Sequence, residues 1–245
     1  MNIGIIPARL TSNRFPKKIL AILDGKPMIA HVMEKALKAE KLDKVVLAID
    51  SEETQEVLND FDFEMIMTSQ EHPSGTDRVA EVVQGIEEAE VIINIQGDEP
   101  LVDPNVIDGL VDTFKDPAVN MATVVSRKLT VSDLLNPNAV KAIMDEERNL
   151  IEFKRNIFDL EIGGVYRHIG MYGFRREALF HFTLLEPSKR EQERGLEQMR
   201  ALDNDISIRA LITACDSWAV DTKEDLKKVA QIMGVSIETA VEQDG

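Results

Sequence analysis

The first 130 residues alternate between short unbroken apolar runs and stretches with an apolar residue every third or fourth position. The runs "NIGIIP", "KVVLAI", "FEMIMT", "EVIINIQ" and "NMATVVS" are bounded by turn residues and predict strands. They are apolar on both faces, which predicts a mostly parallel sheet covered by helices on either side. Between them "PMIAHVMEKALKAE", "SEETQEVLND", "GTDRVAEVVQGIEE" and "DPNVIDGLVDTF" carry helical spacing. Pro27 marks a helix start and Ser51 an N-cap.

After about residue 130 the alternation weakens. "AVKAIMD" and "LIEFKR" predict a strand pair across the turn "EERN", and "YRHIGMYGFR" a further strand. "REALFHFTLL" and "REQERGLEQMRALD" predict two helices, the second carrying Glu197 and Gln198 side by side. "ISIRALIT" and "KEDLKKVAQIM" close the fold as strand and helix, and the tail "ETAVEQDG" is expected to fray. The pattern describes one domain over residues 1–245, with a smaller lobe from about 130 to 205.

In sheets of this class ligands bind at the carboxyl ends of the strands. Arg9, Asp50, Ser74 and Asp98 fall there. The loop after the first strand, "ARLTSNRFPKK", gathers Arg9, Arg14, Lys17 and Lys18 in a chain with 28 basic and 44 acidic residues. It contains neither GxGxxG nor GxxxxGK[ST], so a dinucleotide fold and a Walker A loop are unsupported. Arginine forks and lysine point charges suit polyphosphate. A solvated basic turn would account for the same residues.

The net charge of −16 argues against nucleic acid and anionic membranes as partners. One cysteine, Cys215, allows no intramolecular disulfide, and the four histidines lack zinc-ligand spacing. A reducing cytoplasm is expected. The opening "MNIGIIPARL" has no signal-peptide character, and no apolar stretch approaches a membrane span.

Four further segments bear candidate chemistry. "NIQGDEPLVDP" delivers Asp98 to a turn made by Gly97 and Pro100, where a carboxylate suits Mg²⁺. The alternative is a helix cap, a role for which Asp103 is better placed. Asp221, one residue before the cap Thr222 in "SWAVDTKEDL", could complete a metal site with Asp98 as a second carboxylate at a strand end, although the same letters fit any capping box. In "HPSGTDR", Ser74 and Gly75 can serve a nucleotide, a helix N-cap, or both. In "RHIGMYGF", period two puts His168, Gly170 and Tyr172 on one face. His168 there reads as a sugar or carboxylate ligand or as a core histidine. Glu197 and Gln198 read as sugar contacts or as a solvated helix face.

The order of these pieces, "IPAR..S.RFP.K.L...GKPMI.HV", "SGTDR", "NIQGDEPL", "NPNAVK", "RHIGMYGF", "LEQMRAL" and "VDT.EDL", resembles the CMP-Kdo synthetases from about Ile3 to Met233. These are cytidylyltransferases that activate 3-deoxy-manno-octulosonate (Kdo). The resemblance implies a three-layer, Rossmann-like fold of nucleotidyltransferase type with a smaller dimerisation and sugar-binding lobe. It implies transfer of CMP from CTP to Kdo with Mg²⁺, for lipopolysaccharide or capsule, in a cytoplasmic homodimer. By the same resemblance Arg9, Ser12, Arg14 and Lys18 grip the CTP phosphates. Ser74, Gly75, Thr76 and Gln96 contact the nucleotide. Asp98 and Asp221 bind Mg²⁺ and act with Arg14 and Lys18 in catalysis. Arg155, His168, Tyr172, Glu197 and Gln198 line the sugar pocket.

The chain departs from the pattern at several positions. Lys17 replaces the usual glycine of the phosphate loop. "EFKR" replaces "YFSR", introducing Glu152 and Lys154. Arg194 stands where an acidic residue is common, Lys223 replaces a proline, and the stretch from Arg155 to His168 is short. A related acid sugar, 8-amino-Kdo or a nonulosonic acid, is the alternative acceptor. An inactive paralogue that binds nucleotide or sugar is the alternative of another class.

Overall fold

The computed structural model of the chain describes residues 1–12, 14–156 and 164–235. The tail "ETAVEQDG" and most of the short stretch before His168 lie outside the described residues. Along the chain, β1 (Asn2–Ala8) leads through the basic loop to a 3-10 turn (Lys18–Leu20) and a small hairpin, β2 (Ile22–Leu23) and β3 (Lys26–Pro27). There follow α1 (Met28–Ala36), β4 (Lys44–Ile49), α2 (Glu52–Val57), β5 (Met65–Met67) and α3 (Gly75–Gln84). Next come β6 (Val91–Asn94), α4 (Pro104–Thr113), β7 (Met121–Ser126), α5 (Val131–Leu135), β8 (Lys141–Met144) and β9 (Leu150–Lys154). The chain continues through β10 (Val165–Arg175), α6 (Arg176–Thr183), α7 (Lys189–Arg194), α8 (Met199–Asp203), β11 (Ile208–Thr213) and α9 (Lys223–Met233).

The chain forms two compact units. The loop unit comprises Ile3–Glu87, Asn94–Pro104 and the chain from Ser217 onward; the lobe unit comprises Met1–Asn2, Glu88–Ile93 and Asn105–Asp216. In the loop unit β1 pairs parallel with β4, and β4 with β5. Ile3, Ile5, Ile6, Val46, Leu47 and Ala48 are fully buried, as strands covered on both faces require. A second cluster joins Phe15, Leu23 and Met28 to Val220, Leu226 and Val229. Phe15 belongs to the basic loop, so that loop is anchored to the core at this residue while Arg9, Arg14 and Lys17 stay exposed. The hairpin places Asp24 and Gly25 at φ 52° and 74°, the left-handed pair that a tight two-residue hairpin turn demands.

The lobe unit is mixed. β11 runs parallel to β7, while β10 is antiparallel to both β7 and β8, and β8 to β9. The predicted turn "EERN" closes the β8–β9 hairpin, with Arg148 in the left-handed region and Asp145 accepting from the Asn149 amide at 2.7 Å.

Three expectations are corrected. The predicted helix Arg190–Asp203 is broken into α7 and α8. Gly195 adopts φ 61° and caps α7 by donating its N–H to Glu191 O at 2.8 Å, a conformation that ends a helix. Glu197 and Gln198 therefore lie in the turn between two helices. Within β10 the register against β7 shifts between Ile169 and Tyr172, so period two is interrupted there. Asp221 does not end a strand; it lies well past β11, immediately before the cap of α9.

Candidate active site

The loop unit brings together four of the predicted residues. Lys18 Nζ donates to Asp98 Oδ2 at 2.6 Å, to Asp221 Oδ1 at 3.2 Å and to Val220 O at 3.0 Å. Arg14 Nη2 pairs with Asp221 Oδ2 at 3.0 Å. Each partner is placed by local structure. Gly97 is indispensable to the Asp98 turn, because a Cβ there would stand 2.9 Å from Pro7 O and 3.1 Å from Ile29. The Val220 amide donates to Asp98 O at 2.9 Å, which ties the two carboxylate-bearing segments together through the backbone. Thr222 and Asp225 form a full capping box on α9. Burial alone would push Asp225 up, but hydrogen bonds from Thr222 and Asp221 hold it below the usual carboxylate range.

Asp50 stabilises the other end of the basic loop. Its Oδ1 accepts the Leu10 amide at 2.9 Å, and its Oδ2 accepts from Arg78 at 3.0 Å. Arg78 also donates to Thr68 Oγ1. Both members of this ion pair are buried, so each is stable only through the other. Ser74 caps α3 by accepting the amides of Thr76 and Asp77 at 3.1 and 3.2 Å. Thr76 is buried and Gly75 exposed at the same helix start. Gln96 donates to Asn94 Oδ1 at 3.4 Å; Arg9 is exposed and Ser12 partly buried.

Lys17, the residue in place of the usual glycine, sits at φ 53° and ψ 29°, the left-handed region where glycine is favoured. Its ammonium compensates by binding both Glu53 oxygens at 2.6 and 2.8 Å, joining the loop to the first turn of α2.

The arrangement fits Mg²⁺. Two carboxylates and a backbone carbonyl already converge on one cation, the Lys18 ammonium. Among the described residues no group of three or more His, Cys, Asp or Glu side chains assembles as a metal cage. Mg²⁺ favours such sparse oxygen sites, because waters and substrate phosphates complete its octahedron.

The lobe unit assembles the remaining residues. His168 and Tyr172 have ring centroids 5.5 Å apart, and Phe153 meets the His168 ring edge-on at 5.0 Å. Thr123, missed in the sequence because it reads as one more strand residue, organises the pair. Its buried Oγ1 donates to Met171 O at 2.8 Å and lies 3.0 Å from His168 Nε2. The threonine hydroxyl thus links the imidazole to the carbonyl of the neighbouring strand. Burial lowers the His168 pKa to about 3, so the ring is neutral. Burial and then the nearby Glu197 carboxylate push the Tyr172 phenol well up, against the pull of its hydrogen bond with Thr123. Gln198, next to Glu197 in sequence, is buried.

Arg155, matched to the sugar pocket, makes its described bonds to backbone. Its guanidinium donates to the carbonyls of Arg194, Gly195 and Pro137 at 2.9, 2.9 and 3.1 Å. Lys141, fully buried, bonds Asn136 O and Arg155 O at 2.8 Å each; burial draws its pKa down, and its charge rests on carbonyl dipoles. Among the described residues no helix is long and apolar enough to cross a membrane.

The model of the cytidylyltransferase family matches residues 3–208. A 3-deoxy-manno-octulosonate cytidylyltransferase of Pelobacter propionicus is 41% identical, covering 94% of this chain and 97% of the relative. That of Geobacter sulfurreducens is also 41% identical, over 94% and 99%. A solved CMP:2-keto-3-deoxy-manno-octonic acid synthetase complexed with CTP superposes with a TM-score of 0.89 at 33% identity, over 95% of this chain and 98% of that one. The fold is therefore the α/β, mostly parallel, nucleotidyltransferase type. The chain belongs to the cytidylyltransferase family.

Proposed function

We propose that the protein transfers a cytidylyl group from CTP to 3-deoxy-manno-octulosonate and releases pyrophosphate. The observation that carries this reading is the convergence of Lys18 and Arg14 with Asp98 and Asp221. It combines cations for a polyphosphate with hard oxygens for a divalent ion, in a chain 41% identical to relatives named for this activity.

The sugar's anomeric hydroxyl attacks the α-phosphorus, and the bond to the pyrophosphate oxygen breaks. Arg14 and Lys18 neutralise the charge that grows on the leaving phosphates, with Arg9 and Ser12 completing the loop. Ser74, Gly75, Thr76 and Gln96 hold the nucleotide. Asp98 and Asp221 would hold Mg²⁺, which when bound would supply Lewis-acid charge neutralisation and activate a hydroxyl. In the lobe unit, the His168 imidazole, the Tyr172 hydroxyl, Glu197 and Gln198 receive sugar hydroxyls, with Arg155 framing the turn that carries the last two. With a pKa near 3, His168 is a hydrogen-bond partner rather than a general base at neutral pH.

We further place the protein in the cytoplasm as a homodimer that serves lipopolysaccharide or capsule synthesis. Exposed Val131 and Leu135 on α5 and Ile151 on β9 support the lobe as the dimer face. Sedimentation equilibrium checks the oligomer. For the activity, CTP with a panel of Kdo, 8-amino-Kdo and a nonulosonic acid, followed by pyrophosphate release, is the test. Kdo is expected to turn over fastest. Preference for another acid reassigns the acceptor, and no release with any of them sinks the reading.

A further inference from the structure

Two of the departures from the family pattern in the lobe unit, Glu152 and Arg194, meet each other. Arg194 Nη1 donates to Glu152 Oε1 at 2.5 Å and to Phe153 O at 2.8 Å. Arg190 approaches the same Glu152 oxygen at 3.8 Å. From the opposite direction, Arg155 donates to the carbonyls of Arg194 and Gly195. Two arginines thus lace β9 to the end of α7 reciprocally: each side chain bonds the other segment's backbone. The lacing ends at Gly195, and the next residues are Leu196, buried, then Glu197 and Gln198. On its other side β9 carries Phe153, whose ring abuts His168.

We infer that Glu152 and Arg194 form a positioning clamp for the acceptor, fixing the turn Gly195–Gln198 relative to the His168–Tyr172 pair. The inference rests on the acceptor reading above. Several observations separate a clamp from an ordinary surface ion pair. Both side chains are mostly shielded, at 21% and 27% exposure, and the bond is charge-assisted and short. Arg194 simultaneously satisfies a strand carbonyl, so its head has one place to rest. The turn it holds opens on a left-handed glycine, with Leu196 alone between that glycine and Glu197, so a displacement of Arg194 passes directly to the acceptor-facing side chains. In this clamp both residues act through the turn, as positioning residues.

The test compares Glu152→Ala, Arg194→Met, their double variant and the conservative Glu152→Gln. Each is measured for KM toward Kdo and toward CTP, and for hydrogen exchange of the 195–198 amides. The clamp predicts a Kdo KM raised about tenfold in each of the first two, with the CTP KM within about twofold, because misplacement is confined to the acceptor side. It predicts that the double variant is no worse than the worse single one, since both remove the same contact. Glu152→Gln, which keeps an acceptor oxygen, should restore most of the Kdo affinity. Amide exchange at 195–198 should quicken about tenfold in the Ala and Met variants. An unchanged Kdo KM with unchanged exchange overturns the clamp. So does a parallel rise of both KM values with a general loss of Tm, which marks a merely structural pair. A wild-type protein that releases no pyrophosphate with Kdo sinks the acceptor reading instead, and the exchange measurement still judges the clamp.

Discussion

The loop unit and the lobe unit use charge in opposite ways. In the loop unit, Lys18 and Arg14 are paired with carboxylates that a divalent ion would also claim, and Arg14 and Asp221 are 60% and 38% exposed. In the proposed reaction these pairs are exchanged for a polyphosphate and a metal. In the lobe unit, Arg155 and Lys141 direct their donors at backbone carbonyls, and Arg194 divides its own between the Glu152 carboxylate and Phe153 O; all three hold the frame. His168 and Tyr172, the groups assigned to the acceptor in the proposed reaction, are kept neutral by burial. Exchangeable ions suit a triphosphate donor, and fixed neutral hydrogen-bonding groups suit a polyhydroxyl acceptor.

The comparison breaks most severely if the fixed charge under the basic loop is removed. Asp50→Ala leaves Arg78 buried and unpaired and frees the Leu10 amide, so it should cost about 3–5 kcal/mol in urea unfolding. A loss under about 1 kcal/mol would show that the loop is anchored elsewhere. Next comes the exchangeable cation itself. Lys18→Met should raise the CTP KM or lower kcat by about 10- to 100-fold. It should also strengthen Mn²⁺ binding without nucleotide, since Asp98 and Asp221 lose the ammonium that competes with the metal. Unaltered CTP dependence would contradict the loop's role.

The neutral side of the comparison is tested by pH. His168 has a folded pKa lowered to about 3 from 6.5, so the unfolded chain binds the extra proton first. Its contribution to stability is complete above pH 6.5 and is lost as pH falls from 6.5 toward 3. Denaturation of His168→Gln at about pH 7 and about pH 4.5 should show a shallower loss than the wild type; equal slopes would contradict a neutral, buried ring. The smallest effect is expected at Lys17. Lys17→Gly relieves about 1 kcal/mol of left-handed strain and gives up an exposed ion pair worth at most about as much. Its Tm should move only slightly, and a large drop would mean that the Glu53 tie carries the loop.

The alternating half of the fold was legible because its strands are buried on both faces and read as unbroken apolar runs. Caps at Ser51, Ser74 and Thr222 were equally plain, since Ser and Thr there accept the first amides of α2, α3 and α9. The break at Gly195 was missed because "REQERGLEQMRALD" keeps helical composition across a single glycine that turns left-handed. The hairpin at Asp24–Gly25 and α5 behind the capping box Thr130–Asp133 carried recognisable local signals in segments too short to show periodicity. Thr123 could not be found from sequence, because its role depends on a register shift in the neighbouring strand. The bonding of Arg155 and the meeting of Glu152 with Arg194 are likewise products of tertiary placement.

The most direct test of the central claim is Asp98→Asn, assayed for Mg²⁺-dependent pyrophosphate release from CTP and Kdo beside the wild type. A carboxamide at this position cannot supply the second carboxylate, so turnover should fall by about 10³-fold or more with Tm nearly unchanged. Full Mg²⁺-dependent turnover in that variant would contradict the account.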